Sequence, residues 1–150
     1  MTRIFVDADG CPVKPEVVRV AGRYGVPVSV VANTRMRLPP GEGVERVVVG
    51  SGLDAADDWI AARASEGDIV ISGDIPLASR CLERGAHVID FKGRELTPEN
   101  IGDAVGSREL MAYLRESGVD TGGPAPFEKK DRSRFLHRLD EVIQTLRRRG

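Results

Sequence analysis

The sequence predicts a doubly wound α/β domain on a mainly parallel, five-stranded sheet, with a helical carboxy-terminal extension. Three observations carry this. Five short runs are apolar and β-branched, as in strands covered on both faces. Helix-like segments separate most of these runs, which is the pattern of βαβ units. Beyond residue 90 the strand pattern stops and helical spacing takes over.

The elements follow in order. The predicted strands are "RIFV" (3–6), "VPVSVVA" (26–32), "VERVVV" (44–49), "DIVIS" (68–72) and "AHVI" (86–89). The first helix, 14–25, has Pro15 near its start and Gly25 at its end, where each residue is favoured. Segments 53–67 and 75–85 also end in glycine, and "NTRMRLPPGEG" (33–43) reads as a loop. Thr97 and Ser107 are N-caps for helices 97–106 and 107–118. "VDTGGPAPFEKKD" (119–131) is a Gly- and Pro-rich loop, and 131–149 carries apolar residues at helical spacing. One domain of 150 residues is expected, with a core over 1–93 and an extension over 94–150.

The bulk numbers exclude more than they assign. The chain has 22 basic and 23 acidic residues, for a formal charge of −1, so composition gives no drive towards nucleic acid or membrane. Residues 128–150 carry +4 and the rest −5. Two cysteines suggest neither a disulfide framework nor a zinc site. The amino terminus goes straight into a strand, and no run reaches membrane-spanning length. A soluble cytoplasmic protein is expected.

The acids fall at one edge. In an open parallel sheet, ligands bind outside the carboxyl ends of the strands. The first strand ends at Asp7, with Asp9 two residues on; the second ends near Asn33. The third runs into "GSGLDAADD" and the fourth into "SGD", ending at Asp74. Asp54, Asp57 and Asp58 share a helix face, and the ordinary account of such acids is dipole stabilisation and solvation. Their recurrence with Asp7, Asp9 and Asp74 argues for more. Converging carboxylates repel unless protonated or neutralised. Mg²⁺ and Mn²⁺ prefer oxygen ligands and relieve that repulsion, so a metal site for phosphodiester hydrolysis is expected. Lys14 is placed to balance charge or touch a phosphate.

These residues resemble a known family. "FVDADGCPVK", "GLDAADDWI", "DIVISGDIPLA" and "GGPAPFEKKDRSRF" are similar to the motifs of the YaiI/YqxD family of bacterial proteins, in order and over nearly the whole chain. That family in turn resembles the PIN-like nucleases. The resemblance implies a doubly wound PIN-like fold with a metal site made of acidic residues; Mg²⁺- or Mn²⁺-dependent phosphodiester hydrolysis, with RNA as substrate, is the activity expected. The resemblance carries the first-strand aspartate onto Asp7, the helix acid onto Asp57 with Asp54 or Asp58 beside it, and the fourth-strand aspartate onto Asp74. "DIPLASR" lacks the further aspartate that PIN nucleases often have there.

Two other readings use the same residues. "FVDADG" also matches the opening of haloacid-dehalogenase-type phosphatases, with Asp7 as nucleophile and Asp9 as acid/base, but the later acid of that pattern is missing after Asp74. A non-catalytic nucleic-acid-binding module would use Asn33, Arg35, Arg37, Lys129, Lys130 and Arg132 on phosphates. Cys11 is expected as a packing residue, His87 as a satisfied histidine, His137 at the surface and Asp90 as a loop acid.

Overall fold

The structure is a computed structural model that describes residues 2–33, 43–50, 52, 54–102 and 126–149. Chain order is β1 (Ile4–Asp7), α1 (Lys14–Tyr24), β2 (Val28–Ala32), β3 (Val44–Val48), α2 (Ala55–Arg63), β4 (Ile69–Ile71), α3 (Ile75–Glu83), β5 (His87–Ile89), β6 (Glu95–Leu96) and a last helix, α4 (Lys129–Arg149). Residues 98–102 are also helical. Thr97 and Asn100 begin that stretch with reciprocal bonds between side chain and backbone N–H, at 2.9 and 3.2 Å.

The sheet order is β3-β2-β1-β4-β5-β6, parallel throughout except for β5 with β6. The central strands are apolar on both faces, so each needs a helical layer on either side. On one face, Ile4, Val6, Val28, Val30, Ile69 and Ile71 pack with α1 and α4. On the other, Phe5, Val31, Val70 and Val88 pack with α2 and α3. The period of two along β1 thus divides Ile4 and Val6 from Phe5. Strand β3 lies at the edge and is blunted by exposed Glu45 and Arg46.

The α/β class, the parallel sheet and the carboxy-terminal helix agree with the sequence. The strand count does not, because a sixth strand comes from the segment expected to be helical. Its cause is local. Asp90 Oδ1 accepts the N–H groups of Lys92 and Arg94, and Gly93 takes φ +86, which folds the chain back beside β5. Nor is α4 an appendage: Phe135, Leu139 and Ile143 are completely buried on the sheet, each stabilising by about 1.5–3 kcal/mol. It begins at Lys129, two residues before the expected start. The helix expected over 107–118, the end of that over 97–106 and most of the 119–131 loop lie outside the described residues.

Candidate metal centre

The strand order reverses between β1 and β4, and both carboxyl ends open at that switch point. β1 delivers Asp7 there, and β4 delivers Ser72, Gly73 and Asp74. Ser72, fully buried, donates from Oγ to Asp7 Oδ2 at 2.9 Å and accepts the Asp74 N–H at 3.0 Å. Asp74 is the N-cap of α3, its Oδ1 accepting the Leu77 N–H at 3.1 Å. From a third segment, α2 brings Asp57, half-buried in its first turn.

These acids lie within electrostatic reach of one another. Burial holds the Asp7 carboxyl above its ordinary value; the Ser72 bond opposes this, and Asp74 and Asp9 add repulsion. Asp57 is pushed up to about 6, first by burial, then by Asp74, Asp7 and Asp54, with Arg80 opposing. Among the described residues, no lysine or arginine forms an ion pair with Asp7, Asp57 or Asp74. Arg80 pairs instead with Asp58, at 2.8 Å.

The other expected site residues are placed as follows. Asp9 is exposed and accepts the Asn33 backbone N–H at 3.2 Å, tying the first loop to the end of β2. Asp54 sits at the N-cap position of α2 without a side-chain cap bond. Lys14 turns its ammonium onto the carbonyls of Ala8 (3.1 Å) and Cys11 (3.0 Å), so it braces the acid loop. Lys129 and Lys130 are exposed in the first turn of α4, and Lys130 pairs with Glu128 at 3.3 Å. Arg132, expected to meet phosphate, bonds Glu16 and the Pro12 carbonyl. Arg35 and Arg37 lie outside the described residues. Cys11 is buried and its thiol is pushed up to about 11, mainly by that burial, as suits a packing residue. Asp90 is a loop acid, His87 meets Glu95 at 3.1 Å, and His137 is exposed.

The family model described as "Uncharacterized BCR, YaiI/YqxD family" matches residues 5–145, a span that takes in every acid of this edge. The chain belongs to this family. It is 53% identical over 148 residues to a UPF0178 protein of Rhodopseudomonas palustris (strain HaA2), covering 99% of this chain and 90% of the relative. To a UPF0178 protein of Rhodospirillum centenum it is 55% identical over 152 residues, covering 99% of each chain. No solved structure matches significantly.

The donor chemistry of this YaiI/YqxD family member fits a hard divalent cation. Asp7, Asp57 and Asp74 offer only oxygen, and the burial and repulsion that lift Asp7 and Asp57 are what a shared cation would offset. As they stand, no three His, Cys, Asp or Glu side chains among the described residues are grouped closely enough to hold an ion. Sequence reasoning passed over two contributors, Arg80 and Glu16. Arg80 lies 22 residues from Asp58 and Glu16 lies 116 from Arg132, so neither pairing leaves a local signal.

Proposed function

We propose that this edge is a Mg²⁺- or Mn²⁺-dependent phosphodiesterase site acting on RNA. One observation carries the reading: at this edge burial, and then the charge of Asp74 from another segment, hold both Asp7 and Asp57 above the ordinary carboxylate value, with no cation among the described residues paired to any of the three. Asp7, Asp57 and Asp74 would hold the ion, with Asp9, Asp54 and Asp58 flanking them. When bound, such an ion lowers the pKa of water and stabilises the leaving oxygen of a phosphodiester. The chain's own part is positioning. Ser72 fixes Asp7, the Leu77 N–H fixes Asp74, and Lys14 stiffens the loop between Asp7 and α1. Lys129 and Lys130, with Asn33, Arg35 and Arg37, are the candidate phosphate contacts. A resemblance of the acid order to PIN-like nucleases, read from the sequence alone, supports a nucleic-acid phosphodiester as substrate, and RNA is the substrate proposed.

The test is cleavage of labelled single-stranded RNA by metal-stripped protein resupplied with Mn²⁺ or Mg²⁺, beside Asp7→Asn and Asp74→Asn. Metal-dependent cleavage that both substitutions abolish is expected; full activity in both would sink the reading. Phosphate release from a small phosphomonoester, with Asp7 required, would favour the phosphatase instead. Salt-dependent RNA binding that needs neither metal nor acids would favour a binding module.

A further inference from the structure

Arg132 is 120 residues from Pro12 in sequence, yet its Nη1 donates to the Pro12 carbonyl at 3.1 Å and also bonds Glu16 Oε1. The guanidinium lies 5.2 Å over the Phe127 ring, which packs against the core beneath. Glu16 is buried, in the first turn of α1, and its Oε2 has no hydrogen-bond partner among the described residues. Arg132 is therefore the cation that keeps a buried carboxylate compensated. The residue before it, Asp131, is buried and accepts the Glu128 N–H at 2.9 Å, which fixes the start of α4. The acid loop is thus gripped from two sides. Lys14 holds the Ala8 and Cys11 carbonyls from α1, and Arg132 holds Pro12 from α4.

We infer that Arg132 and Glu16 form a latch by which the carboxy-terminal helix positions the Asp7–Lys14 loop, Arg132 acting as a positioning residue for the acidic site. Its consequence for metal rests on the phosphodiesterase reading; its consequence for the loop does not. An unlatched loop would loosen the Ala8–Val13 segment that follows Asp7 and carries Asp9, leaving Asp7 held from the β1 side and by Ser72 alone, and a site of mutually repelling carboxylates binds an ion tightly only when they are held together.

The experiment uses the full chain with Arg132→Met, which keeps a stem over Phe127, and with Glu16→Gln/Arg132→Met, which strands no buried charge and so guards against failure to fold. Hydrogen exchange is read at the Cys11 and Val17 amides, which bond Ala8 and Val13 carbonyls inside the gripped segment. Both variants are expected to lose at least about tenfold in protection there, with α4 protected as before, and about tenfold in Mn²⁺ affinity. Arg132→Lys is expected to restore both within about threefold, since one nitrogen makes both contacts and an ammonium has three donors. Unchanged loop protection in the double variant overturns the latch, as does Mn²⁺ affinity at wild-type strength. If wild type binds no Mn²⁺, the metal reading fails while the exchange data still decide the latch.

Discussion

Ser72 Oγ stands 2.9 Å from Asp7 Oδ2 and 3.0 Å from the Asp74 backbone nitrogen, so one buried hydroxyl joins the end of β1 to the turn after β4. The hydroxyl uses its single proton on Asp7 and a lone pair on Asp74. It is also the interaction that lowers the proton affinity of Asp7 against burial and two repelling neighbours. Packing and charge at this edge are therefore set by the same side chain.

Ser72→Ala separates the two effects. It leaves the Asp74 N–H and Asp7 Oδ2 without this partner, so a loss of about 1–3 kcal/mol is expected in urea unfolding. With its donor gone, Asp7 should hold its proton to higher pH. Since a ligating carboxylate must be ionised, the onset of Mn²⁺ binding should move to higher pH in the variant. Reduced stability with an unmoved onset would leave Ser72 as a turn-holder alone.

Asp74 has two roles that one pair of substitutions can divide. Asn caps a helix as well as Asp does, so Asp74→Asn keeps the bond from Leu77 and removes only the charge. Stability of the metal-free protein should hold or rise, while Mn²⁺ affinity falls about tenfold or more. Asp74→Ala should lose the cap as well, about 1 kcal/mol by chemical denaturation. Equal Mn²⁺ affinity in wild type and Asp74→Asn would remove Asp74 from the ligand set.

The edge that gathers Asp7, Asp57 and Asp74 was legible because parallel strands put their following residues on one side, whatever the strand order. Asp74 was harder to weigh, since an N-cap aspartate and a ligand look alike in sequence. β6 was not legible: Glu95–Leu96 is too short to show a period, and it pairs only because Gly93 and Asp90 turn the chain. Lys14 was placed near the acids, but its reach back to Ala8 and Cys11 depends on how the loop closes. Arg132 read as a phosphate contact because its partner, Glu16, is 116 residues away and looks like any first-turn acid.

Gly93 marks where α4 meets the sheet. A Cβ there would stand 2.6 Å from the Arg134 carbonyl carbon and 2.7 Å from the Phe135 nitrogen, at φ +86. Neither backbone atom can move without shifting α4, so Gly93→Ala should cost more than about 2 kcal/mol in chemical denaturation. Gly22→Ala is the control. Gly22 lies inside α1, where an added Cβ meets nothing within 4 Å, and alanine should stabilise by about 0.5–1 kcal/mol. Equal stabilities for the two variants would contradict the close approach at Gly93.

Asp57 makes the site's electrostatics visible without any substrate. Its carboxyl titrates near 6 in the folded chain against an ordinary value of 3.8. Between those values the folded state binds more protons than the unfolded one, so this group's contribution to stability falls as pH rises. The contribution is full below about pH 4 and is lost as pH rises through about 6. Above that, the ionised group is a net cost, through burial and the charges of Asp74, Asp7 and Asp54. Metal-free Asp57→Asn should therefore melt higher than wild type at about pH 7.5 and no higher at about pH 4. Saturating Mn²⁺ should reverse the order at the higher pH, because only the wild type keeps the carboxylate that repays neutralisation. Thermal melts at both pH values, with and without Mn²⁺, give four comparisons. A wild type that melts above Asp57→Asn at pH 7.5 without metal would show that Asp57 does not lie under the repulsion of Asp7 and Asp74.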